Sequence, residues 1–100
     1  MSGPETKLQR RIQRALKDMW PDGWAFKVHG GPFQQVGLPD LIGCIQGRFV
    51  ALEIKHPDED HPVSPIQTAV MSRLLKAGGI IAVVESVDQA LEAVTLGLEH

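Results

Sequence analysis

Apolar positions along the chain fall into two periods, one helical and one of strands. Leu8, Ile12, Ala15, Leu16 and Met19 recur every three or four residues, which predicts a helix over 4–19 with that stripe buried. Pro4 suits its first turn, and Ser2 and Glu5 have capping-box spacing. Over 24–29, Trp24, Phe26 and Val28 alternate with Ala25, Lys27 and His29, the pattern of a strand whose less apolar face carries Lys27 and His29. A loop rich in glycine and polar residues, 30–37, leads into Pro39-Asp40, and such a loop beside charged groups suits substrate access. A hairpin follows over 40–56 and is closed by His56-Pro57, since proline cannot continue a central strand. The acidic loop 58–61 reads as solvated.

Ser64, with Pro65 behind it, starts a second helix through Ile66, Val70, Leu74 and Leu75, and Gly78-Gly79 stops it. Residues 80–85 are almost unbroken apolar, as expected of a strand covered on both faces. Ser86 caps a last helix over 87–96, with Val87, Leu91 and Val94 on its apolar side. The order αβββαβα, with a hairpin and a helix crossover, implies an α/β fold with a mixed four-stranded sheet flanked by helices. No repeat, low-complexity stretch or linker breaks the chain, so residues 1–97 read as one domain, and Leu98-Glu99-His100 read as the start of an appended affinity tag.

Two charges interrupt the hairpin where strands bury apolar groups. In the run 49–55, Glu53 and Lys55 share one face, and Val50, Leu52 and Ile54 share the other. The turn then places Asp40. A Gln46-Gly47 loop sets Asp40 opposite Glu53; a Gly47-Arg48 loop sets it opposite Lys55. Either register gathers the three into one patch, because opposed residues project from the same face. A three-residue loop breaks the cluster unless a bulge restores it. Two carboxylates this close repel unless a cation lies between them, and a hard ion such as Mg²⁺ takes oxygen ligands of this kind.

Composition narrows the picture. One hundred residues, 43% of them hydrophobic, suit a single small core. No apolar run approaches the roughly 20 residues that span a bilayer, and the N-terminal residues lack a secretory signal's apolar core, so a cytoplasmic protein with no membrane partner is expected. A single cysteine, Cys44, excludes an internal disulfide and a multi-cysteine zinc site, and its strand position reads as buried. His29, His56 and His61 share no zinc-binding repeat. The net charge of −2 does not advertise nucleic-acid binding, yet Lys7, Arg10, Arg11, Arg14 and Lys17 crowd one helix. Arg10, Arg14 and Lys17 form a row that is either a solvated face or a contact to backbone phosphates.

Pro39-Asp40, twelve residues, then Glu53-Ile54-Lys55 resembles the PD-(D/E)XK nuclease signature, loose as a bare pattern but set here in the αβββαβ order of that superfamily. Longer stretches resemble the VRR-NUC family: Lys27-Val28-His29-Gly30-Gly31-Pro32, Gly37-Leu38-Pro39-Asp40-Leu41-Ile42-Gly43, Gly47-Arg48-Phe49-Val50-Ala51-Leu52-Glu53-Ile54-Lys55 and Ser64-Pro65-Ile66-Gln67. The likeness covers roughly residues 5–91 and is to the stand-alone bacteriophage type, which resembles Holliday junction resolvases; for a phage protein the compartment is the host cytoplasm. It implies a restriction-endonuclease-like core and a deoxyribonuclease that uses Mg²⁺ or Mn²⁺ on branched or structured DNA. Asp40, Glu53 and the Ile54 carbonyl would hold the metal, and Lys55 would orient or deprotonate the attacking water. Gln67 matches a glutamine that faces the site, and Glu5 an acid on the first helix that binds metal directly or through water.

Each residue has a structural reading as well. Asp40 suits a strand start, Glu53 and Lys55 an ion pair, Glu5 a helix-dipole partner and Gln67 a cap. Lys27 would contact phosphate and His29 edge the site, or both are ordinary sheet-face residues. The competing functions are a DNA-structure binding protein with weak or no catalysis and a small assembly subunit. A chain this small covers only part of a junction, so a homodimer or a dimer of dimers is expected, with the last helix and the fourth strand as candidate surfaces.

Overall fold

The computed structural model describes residues 3–29, 36–58 and 62–100. Its elements are α1 (Pro4–Met19), β1 (Trp24–Lys27), β2 (Leu41–Ile45), β3 (Arg48–Ile54), α2 (Pro65–Lys76), β4 (Ile80–Val84) and α3 (Val87–Leu98). The four strands form one mixed sheet in the order β1-β2-β3-β4, antiparallel except for the parallel β3–β4 pair. The expected α/β architecture is therefore the one observed. Ser2, the loop residues 30–35 and residues 59–61 lie outside the described residues, so the capping box at Ser2, the access loop and most of the acidic loop do too. The cap position of α1 is Gly3, which offers no side-chain cap.

One face of the sheet is closed. Leu41 and Ile45 of β2, Val50, Leu52 and Ile54 of β3, and Ile80 and Val84 of β4 pack with Leu8, Ile12 and Leu16 of α1 and Ala90 and Val94 of α3. Met19, expected in the α1 stripe, is exposed at the helix end, and Gln9 is buried in its place. Helix α3 runs two residues beyond its expected end, and Leu98 packs against the core.

The opposite face is largely open, which corrects three expectations. Trp24 and Phe26 stand on the side of β1 away from the core and are 69% and 37% exposed, their ring centroids 4.8 Å apart. Ala25 is the β1 residue that packs on the core. Cys44 lies between Trp24 and Phe49 in the strand register and is exposed rather than buried, because no described element packs over it. Strand β4 is an edge strand whose Val83 is exposed, so it is not covered on both faces. Helix α2 flanks β4 but buries none of its residues fully.

The β2–β3 turn is the two-residue Gln46-Gly47 loop, with Ile45 opposite Arg48. Gln46 and Gly47 have φ of 51° and 80°, and positive φ at both central positions matches the twist of a tight hairpin. Behind the turn, the Arg48 guanidinium donates to the Gly78 carbonyl at 2.8 Å and the Gly97 carbonyl at 3.0 Å, tying the hairpin to the α2–β4 turn and the end of α3. Gly43 lies where β1 passes so close that a Cβ would strike the Trp24 carbonyl and Ala25. Gly43→Ala should therefore cost about 1–3 kcal/mol, the usual price of overpacking, read as a lower urea midpoint at unchanged slope.

Candidate active site

The hairpin register decides the site. Leu41 pairs with Leu52 and Ile42 with Ala51, so the next pair outward sets Asp40 opposite Glu53. The Ile54 N–H donates to Asp40 Oδ2 at 2.8 Å, and the Asp40 carbonyl accepts the Val28 N–H at 2.8 Å. Asp40 is thus held from the strands on both sides. On β3, Glu53 is only 2% exposed, since β2 and β4 flank it and the first turn of α2 lies over it. The Lys55 N–H donates to the Val84 carbonyl at 2.9 Å, which carries the β3–β4 pairing past Ile54 and sets Lys55 on the Glu53 face.

Helix α2 begins as its sequence suggests. Ser64 Oγ accepts the Gln67 N–H at 3.2 Å, and Gln67 Oε1 accepts the Ser64 N–H at 3.1 Å, a complete capping box. The same Gln67 side chain donates through Nε2 to Glu53 Oε2 at 2.9 Å. Lys55 Nζ lies 3.3 Å from that same oxygen. The structure therefore brings Asp40, Glu53, Lys55, Gln67 and the Ile54 backbone together.

The other candidates come from α1 and from β1 and the residues after it. Glu5, in the first turn of α1, is partly buried, and its Oε2 is buried without a hydrogen-bond partner. Lys27 and His29 are exposed, and the register pairs Lys27 with Leu41, one position out of phase with Asp40 and Glu53. Arg10 and Arg14 are exposed on α1.

Glu53 carries the electrostatic cost of the site. Burial pushes its carboxyl up to about 7, the Asp40 charge adds to the rise, and Lys55 and Gln67 pull the other way. Its second oxygen, Oε1, is buried with no partner. Buried polar atoms are satisfied as a rule, and a charged one left open costs free energy. Among the described residues no three acidic, histidine or cysteine side chains form a metal cluster. Mg²⁺, however, is commonly bound through one or two carboxylates with waters and substrate phosphates completing the shell. Asp40 and the open Glu53 oxygen are hard oxygen donors of that kind, so the residues fit such an ion.

Two solved structures share this fold. One, a VRR_NUC domain, is 25% identical, with 86% of this chain matched to 92% of that one at a TM-score of 0.63. Another, a VRR_NUC domain protein, is 18% identical, with 99% of this chain matched to 91% of that one at a TM-score of 0.75. No protein-family model and no curated protein matches the sequence. The fold and the carboxylate pair define a restriction-endonuclease-like α/β domain. Within that class, the likenesses support a nuclease of the VRR-NUC family.

The Glu53 shift sets a pH dependence. Its pKa is raised from 4.5 to about 7, so between those values the folded chain keeps a proton that the unfolded chain has released. The associated stability is present in full below about pH 4.5 and is lost as pH rises through about 7. Glu53→Gln should remove that component without changing the side chain's size. Urea unfolding of wild type and variant at acid and mildly alkaline pH, without divalent ions, should show the wild type losing stability relative to the variant as pH rises.

Proposed function

We propose that this chain is a divalent-metal-dependent endodeoxyribonuclease that hydrolyses phosphodiester bonds in branched or otherwise structured DNA, such as Holliday junctions. The observation that carries the reading is the pairing of Asp40 with a buried Glu53 whose Oε1 lacks a partner, beside Lys55. Gln67 and Lys55 both engage Oε2, which turns Oε1 free as a ligand atom. The Ile54 amide fixes the direction of Asp40, and the Ile54 carbonyl adds a backbone donor. Glu5 contributes its unpartnered Oε2 directly or through water. Mg²⁺ or Mn²⁺ held there would neutralise the phosphodiester and lower the pKa of a bound water. Lys55 orients or deprotonates the attacking water and offsets charge on the phosphate. Exposed Lys27, His29, Arg10 and Arg14 are candidate backbone contacts.

The test is cleavage of a four-way junction and of linear duplex, with and without Mg²⁺. Asp40→Ala should lower kcat by about 10²–10³-fold, and calorimetry should detect divalent-ion binding in the wild type but not the variant. If no DNA form is cut and the variant behaves identically, the enzyme reading fails. Tight binding to junctions without product and without metal dependence would instead favour a DNA-structure binding protein.

The chain acts as a homodimer or a dimer of dimers. The supporting observation is the open sheet face, where Trp24, Phe26, Cys44, Phe49 and Val83 expose apolar surface that α2 leaves largely uncovered. Val83 of β4 and Leu96 of α3 are exposed on the two elements that the sequence favours, but most of the apolar row belongs to β1–β3. Gel filtration with light scattering at micromolar protein should give a dimer or tetramer, and Phe49→Asp should shift it towards monomer. A wild type that is monomeric throughout excludes the assembly.

A further inference from the structure

We propose that Lys7, Arg11 and His56 form a phosphate-binding cleft for the nucleic-acid strand, next to the phosphate at Asp40, Glu53 and Lys55. The inference rests on the nuclease reading above and adds a site to it. A cleft of about 240 Å³ opens between the first turns of α1 and the end of β3, lined by Pro4, Lys7, Leu8, Arg11 and His56. Lys7 and Arg11 are one helical turn apart and share a face. Both are exposed, and among the described residues neither enters an ion pair. Among the described residues no carboxylate lines the cleft.

The position of these charges follows from helix geometry. At about 100° per residue, Lys7 and Arg11 fall on the shoulder of α1 beside Leu8, which is buried at the sheet. Arg10 and Lys17 fall on the side of α1 turned away from Leu8, and Arg14, although angularly close to Lys7, sits two turns further along. The row that reads most clearly as basic in the sequence is therefore not the one that meets the cleft. Pro4 has no N–H and the Lys7 N–H already donates to the Gly3 carbonyl at 3.1 Å, so neither of these two lining residues offers a backbone donor.

His56 completes the cleft from the strand side. It directly follows Lys55, and alternation along an extended chain sends the two side chains to opposite sides. His56 Nδ1 accepts the Asp58 N–H at 3.1 Å, which leaves the proton of a neutral ring on Nε2 as a free donor. Asp58 Oδ2 lies 3.8 Å from Nδ1, but that side chain is 86% exposed and does not line the cleft. Two fixed cations and an imidazole donor suit a phosphodiester.

The test is the double variant Lys7→Ala/Arg11→Ala, with Lys76→Ala on the remote end of α2 as a control for loss of a distant positive charge and the single variant Arg11→Glu as a check. DNA binding is followed by fluorescence anisotropy across a salt series without divalent ions, and cleavage is measured with Mg²⁺. The double variant should weaken binding by about tenfold or more and reduce the salt slope by about two, one per lost phosphate contact. KM should rise while kcat stays within about twofold, and Arg11→Glu should weaken binding in the same direction. A slope and KM equal to those of Lys76→Ala overturn the cleft. So does millimolar inorganic phosphate that shifts the His56 resonance while the DNA slope stays unchanged in the variants, which marks a free-phosphate site. Because binding is read without cleavage, the two ideas separate. A wild type that binds through Lys7 and Arg11 but never cuts supports the cleft and overturns the nuclease, whereas cutting with an unchanged slope does the reverse.

Discussion

Asp40 reaches across the hairpin to take the Ile54 amide hydrogen at 2.8 Å, and the geometry of the site depends on that bond. A strand slip of one residue moves every side chain to the opposite face. Asp40 would then oppose Leu52 or Ile54, and the carboxylate pair would be lost. Two devices guard the register. Gln46 and Gly47 adopt the left-handed conformations that a two-residue turn requires, and Arg48 anchors the turn to two carbonyls from the α2–β4 and α3 ends. The hairpin is thus held at its turn by Arg48 and at its open end by Asp40.

What this precision holds in place is unfavourable by itself. Glu53 is buried beside another acid, and its pKa rises for both reasons. Gln67 and Lys55 relieve one oxygen and leave the other bare. A side chain placed only for stability would be better replaced by an apolar residue, since burying a charge without full hydrogen bonding is costly. The rest of β3 follows the apolar rule, with Val50, Ala51, Leu52 and Ile54 all buried. The exception falls at the one place where strand, crossover and helix cap meet, as expected where local stability is given up for function.

Much of this is local and so could be read from the chain. The order of elements follows from period and punctuation, and the Ser64–Gln67 cap from its spacing. The Asp40–Glu53 pairing follows from parity once the turn is known, and Gln46-Gly47 was one of the registers open. What could not be read is which apolar side of a strand is covered. Trp24, Phe26 and Cys44 look like core by type, yet the core lies on the Ala25 side, because α1 and α3 both pack on that face and α2 covers little of the other. The same limit hid Lys7 and Arg11. Periodicity shows that residues share a helix face, but not what that face meets.

The location of the site at one end of the sheet has a geometric cause. Within the sheet, β3 is flanked by β2 and β4, and its two faces are separated by the strands themselves. Past Ile54 that partition ends. Lys55 still bonds to Val84 and stays on the Glu53 side, and His56 turns to the α1 side one residue later. Only there can one extended polymer touch groups from both faces without crossing the sheet. Ligand sites in α/β sheets lie beyond the carboxyl ends of the strands for the same reason. The carboxylates, fixed by the Ile54 amide and by Gln67, sit just inside that end, and the exposed cations of α1 sit just outside it. On the proposed reading, a strand of nucleic acid passing the end of β3 would meet them in sequence, with the acid pair and the α1 cleft as two parts of one track.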